Sequence, residues 1–224
     1  MLRILSGMLA FICVGVCPSQ AQDALGLATA NPLVRMGVVE KWQGVQRRIA
    51  DDKARLSTCR SEPWTCSDDE LRLEAIVASG RAREGRARIG EINRAVNLSI
   101  RPASDERRFG VVDRWSSPLE TITAGAGDCE DYAILKLLAL RQVGIASDDL
   151  KLLIVRDRAS RTAHAVAAVR LDGRWLVLDN RRLALVDVEF MQYRLLAMLD
   201  PDTEGVRHAS LESAASPDVS RDVM

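Results

Sequence analysis

The dipeptide Asp172-Gly173 constrains this 224-residue chain more than any other feature. It stands between two β-type runs, Ala163 to Leu171 and Trp175 to Leu178, and Asp-Gly in that setting is the strongest short-range signal for a two-residue hairpin turn. Such a turn fixes a register. Leu171 then faces Arg174, Val166 faces Asp179, and His164 faces Arg181. Side chains alternate along a strand, so His164 and Asp179 fall on one sheet face as diagonal neighbours, about 7–8 Å apart at Cα and within side-chain reach. Val166, Ala168, Trp175 and Val177 share that face and mark it for burial, where polar groups need partners. An Asp–imidazole hydrogen bond is therefore expected; the plainer alternative is one polar face of a half-exposed hairpin. The chain has only two histidines, so imidazole chemistry must use His164 or His208. His208 follows Asp200-Pro201 in a polar stretch, with no strand to position it.

The second informative stretch is Gly125-Ala126-Gly127-Asp128-Cys129-Glu130-Asp131-Tyr132. Flexible glycines lead into a helix whose first residue is a thiol. A helix N-terminus carries partial positive charge and free N–H groups, which favour thiolate and can hold an oxyanion. Asp128, Glu130 and Asp131 oppose that thiolate unless a cation offsets them. They also have an ordinary explanation as acids of a first helical turn. A Cys on a helix N-terminus, facing a His–Asp pair on a hairpin, has the form of nucleophile, base and orienting group. The expected set is Cys129, His164 and Asp179.

Elsewhere the pattern is mostly helical. Val34 to Leu56 carries Met36, Val39, Trp42, Val45, Ile49 and Leu56 on one stripe. Ser67-Asp68-Asp69-Glu70 is a capping box for a helix running from Asp68 to about Leu98. Gly80, Gly85 and Gly90 recur within it every five residues, which holds no single helix face and reads as local breaks or close contacts. Ala103 to Gly127 reads as loop-rich, Cys129 to Val143 as a helix stopped by Gly144, Leu150 to Val155 as a strand, and Leu183 to Leu199 as a weaker strand or helix. Helices come first, and a nucleophile-bearing helix then packs on an antiparallel sheet, which makes the fold α+β. The expected organisation is a leader at 1–21, an N-terminal helical region at 22–100, a core at 101–200 and a polar tail at 201–224.

Arg3, the apolar run from Ile4 to Val16, and Ser19-Gln20-Ala21 have the form of a secretory signal cleaved after Ala21. An uncleaved anchor is the alternative, and Val16 is too bulky for a lipoprotein site at Cys17. No later stretch is apolar and long enough to span a bilayer. Export leaves Cys59, Cys66 and Cys129. In an oxidising compartment the first two, seven apart around Pro63, read as a disulfide; two free thiols or half a metal site are the alternatives. No local His or further Cys completes a zinc site. Thirty-one basic and 31 acidic residues cancel, which excludes a strongly basic nucleic-acid binder, and the few aromatics exclude a stacking platform for single strands.

Several ordered blocks between Ile89 and Leu199 resemble the bacterial transglutaminase-like cysteine proteinases, in particular the LapG-type periplasmic proteases. They are Ile92-Asn93-Arg94-Ala95-Val96-Asn97, Asp113-Arg114-Trp115, Pro118-Leu119-Glu120, Gly127 through Ile134, His164-Ala165-Val166 and Leu178-Asp179-Asn180. The resemblance implies a papain-like/transglutaminase-like core and a Cys-His-Asp triad at Cys129, His164 and Asp179. It implies calcium beside the nucleophile, with Asp128, Glu130 and Asp131 as matching acids. It further implies periplasmic cleavage of a large surface adhesin at a pair of alanines, to control biofilm attachment, and retention by an inner-membrane cyclic-di-GMP receptor. The family's better-studied members have an aromatic after the helix lysine, whereas Lys136 is followed here by Leu137. Two alternatives stand beside this reading: an acyl transferase passing the same thioester to an amine, and a calcium-stabilised binding module without catalysis.

Overall fold

The computed structural model describes residues 32–202 and 206–207. The expected signal segment and His208 lie outside the described residues. Helix α1 spans Pro32–Ser61 and buries Trp42, Val45, Ile49 and Leu56, the stripe read from the sequence. It outruns the expected end at Leu56, so that Cys59 lies on its last turn. A short 3-10 turn over Pro63–Thr65 returns the chain, and Cys59 and Cys66 are disulfide-bonded with Cα atoms 4.7 Å apart.

The capping box forms as expected: the Glu70 amide donates to Ser67 Oγ, and the Glu70 carboxylate accepts from the Ser67 amide. The helix it starts does not run on to Leu98. It ends as α2 (Asp68–Arg81), and α3 (Gly85–Ser99) follows after a break at Gly85, whose φ is +49°. The loop-rich reading of 103–127 also needs correction. That segment contains α4 (Asp105–Phe109) and α5 (Pro118–Ala124), the latter opened by a second capping box, Ser117 with Glu120. On either side, β1 (Arg101–Pro102) and β2 (Ala126–Gly127) form a two-residue parallel pair. Helix α1 holds α5 in place: Asp52 accepts the Leu119 amide at 2.8 Å, and Trp42 meets Trp115 edge-on, with centroids 6.2 Å apart.

Helix α6 (Cys129–Gln142) is the centre of the molecule, with every residue from Glu130 to Leu140 buried. It lies against a six-stranded antiparallel sheet made of β3 (Leu150–Asp157), β4 (Ala163–Leu171), β5 (Arg174–Leu178), β6 (Val186–Asp187), β7 (Tyr193–Leu199) and β8 (Val206–Arg207), ordered β6-β5-β4-β3-β7-β8. The hairpin register is the expected one, Leu171 opposite Arg174 and Ala167 opposite Leu178. Asp172 and Gly173 both take positive φ, 50° and 77°, as a primed turn requires. The segment from Leu183 to Leu199 resolves into β6, a 3-10 turn and β7, with β7 paired to β3 well inside the sheet. In the polar tail, Val206–Arg207 pairs with β7.

One sheet face packs Ala165, Ala167, Val169, Leu176 and Leu178 into the main core with α6 and the helices. The other buries Leu153, Val155, Val166, Ala168, Val177, Leu195 and Met198 in a smaller core. This second core is the burial that the sequence predicted for the face carrying His164. Among the described residues no helix is long and apolar enough to cross a membrane.

Candidate active site

His164 and Asp179 are both buried, 2% and 1% exposed, and His164 Nε2 lies 2.9 Å from Asp179 Oδ1. The diagonal placement deduced from the turn therefore produces direct contact. Asp179 is heavily supported. Its Oδ1 also accepts the Arg181 amide at 3.0 Å, and its Oδ2 accepts the Tyr193 hydroxyl at 2.6 Å. Despite burial, these donors and the His164 ring hold its carboxyl well below the ordinary range, so it stays an anion. Its backbone carbonyl accepts from the Asn97 side-chain amide at 2.9 Å. The Tyr193 ring stands edge-on to His164, with centroids 5.8 Å apart. Sequence reasoning missed Tyr193, because nothing local in the chain assigns β7 to this place.

With Nε2 committed to Asp179, the other imidazole nitrogen is the one left for chemistry. His164 Nδ1 is buried and has no hydrogen-bond partner. Cys129, the one free cysteine among the described residues, begins α6, and its sulfur is held by the amide of Ala165, the residue after His164. The thiol donates to Glu130 Oε2 at 3.1 Å. Burial, and then the Glu130 charge and hydrogen bond, push the Cys129 thiol up, while the Ala165 amide pulls it down. Burial is the largest of these effects, followed by the opposition of Glu130, an acid visible in the sequence.

The loop before Cys129 is tightly packed. A Cβ on Gly127 would lie 2.7 Å from the Asp131 Cβ and 2.8 Å from its Oδ2, so only glycine fits there. Asp131 is fully buried; its Oδ1 accepts the Ser116 amide at 2.8 Å, and its Oδ2 accepts from Arg108. Of the three acids read as metal ligands, Asp131 is thus largely occupied in holding this loop. The fold adds two acids that the sequence did not single out. Carboxylate oxygens of Asp105, Asp113 and Glu130 lie within 4.8 Å of one another, and so do those of Asp105, Asp128 and Asp131. Asp105 Oδ1 and Asp128 Oδ1 are buried without a hydrogen-bond partner. Burial and mutual repulsion push Asp128 up to about 9, and burial pushes Glu130 up to about 7. Orphaned hard oxygens among crowded carboxylates suit calcium chemically. Two cations are already present in the cluster: Arg108 pairs with Asp131 and lies 3.7 Å from Asp105, and Lys41 pairs with Asp113.

A family model described as bacterial transglutaminase-like cysteine proteinase matches residues 53–213. Among solved structures, Legionella pneumophila LapG is similar at 22% identity and TM-score 0.54, covering 66% of this chain and 83% of that one. Its calcium-bound form matches at 22% identity and TM-score 0.56, covering 75% and 93%. These likenesses speak to the fold. No curated protein sequence matches.

Proposed function

We propose a specific task for this chain, which belongs to the bacterial transglutaminase-like cysteine proteinase family and is a cysteine peptidase acting on protein: an exported, calcium-dependent endopeptidase of the periplasm that cuts a large surface adhesin and so controls attachment. The observation carrying the chemistry is the buried His164, bonded through Nε2 to Asp179 and left with an unpartnered Nδ1, one residue before the Ala165 amide that engages the Cys129 sulfur. In this reading Cys129 is the nucleophile, and His164 Nδ1 takes the thiol proton. Sulfur attacks the scissile carbonyl, and His164 returns the proton to the leaving amine, which leaves an acyl-enzyme. Asp179 holds the ring and its tautomer and offsets the imidazolium charge. The Tyr132 amide is already engaged by the Asp128 carbonyl, so the amides before it, at the head of α6, are those placed to meet an oxyanion. Water, attacking with His164 as base, then releases the acyl group.

Asp105, together with Asp113 and Glu130 or with Asp128 and Asp131, would hold calcium. When bound, the ion would supply positive charge that offsets the carboxylates around the thiol. The calcium-bound form of Legionella LapG and the buried Asp128 Oδ1 without a hydrogen-bond partner support this part. Export is supported by the signal-like first 21 residues. The adhesin substrate and a membrane-held cyclic-di-GMP receptor as partner are supported by the family resemblance.

The test is cleavage of a candidate repeat adhesin by purified chain, beside Cys129→Ala. Cleavage should vanish in that variant and in EGTA, and calcium should restore it better than magnesium, which demands a tighter octahedron. Full activity of metal-free protein in EGTA would sink the calcium requirement and leave the acids as structural. Retained cleavage by Cys129→Ala would remove Cys129 as nucleophile.

A further inference from the structure

We propose that the arginine-lined depression at the β3–β4 turn, beside His164, is a subsite for acidic side chains of the polypeptide substrate; this deepens the peptidase reading and rests on it. The depression, about 390 Å³, is lined by Arg156, Asp157, Arg158, Arg161 and Arg194. Its position follows from strand pairing. Val155 is opposite His164, and the next two β3 residues, Arg156 and Asp157, are opposite Arg194 and Tyr193. Tyr193 in turn touches both His164 and Asp179. Arg156 and Arg194 alternate to the sheet face opposite His164, so the depression lies at the same end of β3 and β7 as the site, where a polypeptide leaving the site could reach it.

Its charge is uncompensated. Asp157 is the one acid in the lining, and its oxygens are spent: Oδ1 accepts the Ala159 and Ser160 amides at 2.8 and 3.1 Å, and Oδ2 accepts from Arg181 at 3.2 Å. Among the described residues no acid pairs with Arg156, Arg158, Arg161 or Arg194, and Arg181 takes the remaining oxygen of Asp157. Arg156 and Arg194 stand directly opposite each other on adjacent strands, an arrangement that destabilises a sheet. The turn is itself held firmly. The Asp157 amide donates to the Thr162 carbonyl, the Arg158 amide to Gln192, and the Arg161 amide to Asp157, with Arg161 at φ 60°. Like charges kept opposed on a rigid frame, with nothing local to offset them, call for an anionic ligand. Guanidinium forks match carboxylates in bidentate geometry. The depression has room for a few side chains, not for the track of a long polyanion, and the chain is neutral overall, so acidic peptide is favoured over nucleic acid or membrane.

The test uses the purified Cys129→Ala chain, which reads binding whatever the chemistry at Cys129. Two short fluorescein-labelled peptides are compared, one with glutamates and one with glutamines at the same positions. In calcium buffer at low salt the glutamate peptide should bind about tenfold tighter, and the advantage should shrink as salt rises. Adding Arg158→Gln and Arg194→Gln should erase the advantage, without lowering the melting temperature, because one opposed pair is relieved. Equal affinities for the two peptides would overturn the proposal, and so would a preference that survives the double substitution. Equal affinities with retention on phosphatidylglycerol vesicles would assign the patch to a membrane surface instead. The peptidase reading fails separately, if Cys129 in the parent chain is alkylated by iodoacetamide no faster than an ordinary thiol.

Discussion

Lys136 is a lysine buried to 0% exposure in the middle of α6, and replacing it by methionine should stabilise the fold while harming the site. Its ammonium donates to the Leu178 carbonyl at 3.3 Å and lies 5.8 Å from the Tyr132 ring centroid. Burial pushes Lys136 from 10.5 down to about 7, against the pull of Asp179. At about 1.4 kcal/mol per pH unit, burial costs the protonated form about 5 kcal/mol. The sign follows from proton counting. Between about pH 7 and pH 10 the unfolded chain keeps this proton and the folded chain does not. The unfolded state binds more protons, so stability rises with pH across that window, and the penalty is complete below it. Methionine keeps the length and removes the charge, but gives up a hydrogen bond worth about 1 kcal/mol. Lys136→Met should therefore gain about 4 kcal/mol at pH 7, and the gain should fade towards pH 10. Urea melts of both proteins at several pH values in EGTA read this directly. Buried acids titrate in both proteins, so the difference between them isolates Lys136. A variant less stable at pH 7, or a difference independent of pH, would refute the reasoning. The cost should appear in activity, because Leu178 precedes Asp179 and its carbonyl would lose its donor.

Tyr193→Phe keeps the ring against His164 and deletes the donor to Asp179 Oδ2; turnover should fall, and stability should drop by about 1–3 kcal/mol for the buried carboxylate oxygen left unpaired, as peptidase assays and thermal melts would show. Gly127→Ala forces Asp131 away from Arg108 and Ser116, and should cost about 1–3 kcal/mol in a urea melt together with most of the activity. Replacing Cys59 and Cys66 by serine should lower stability by about 2–3 kcal/mol, the scale for a short closed loop, and leave iodoacetamide labelling of Cys129 unchanged, since that disulfide lies at the far end of α1.

The hairpin was legible because strands have a period of two and Asp-Gly sets where counting starts; one turn placed His164 beside Asp179. The head of α6 was legible because glycines precede a polar N-terminus and a long apolar run follows. β7 was not. Leu195 to Leu199 is a continuous apolar stretch, and Leu195, Ala197, Met198 and Leu199 are all buried, so the stretch lacks the alternation that distinguishes strand from helix. Tyr193, at its head, was hidden with it. Asp105 and Asp113 escaped for another reason. They sit in and after a five-residue helix, too short to show a period, and reach Asp128 and Glu130 only because the β1–β2 pair folds that segment over the α6 terminus. One signal there could have been read: Ser117-Pro118-Leu119-Glu120 is a capping box, which predicts α5 and a break in the supposed loop.

The neutral charge of the whole chain conceals a strongly polarised site. On one side of Cys129 stand Asp105, Asp113, Asp128, Glu130 and Asp131, with Arg108 engaging Asp131 and Lys41 engaging Asp113. On the other, past His164, stand Arg156, Arg158, Arg161 and Arg194. The acids are nearer in sequence and set the state of the thiol. A helix terminus worth roughly half a charge and one Ala165 amide do not outweigh burial among carboxylates. Under the proposed mechanism, further positive charge among the acids would ease transfer of the thiol proton to the imidazole. The arginines cannot serve, because they lie beyond the His164–Asp179 pair, where their field falls on whatever chain crosses the site. The same polarity that restrains the cysteine on one side thus favours an acidic polypeptide on the other.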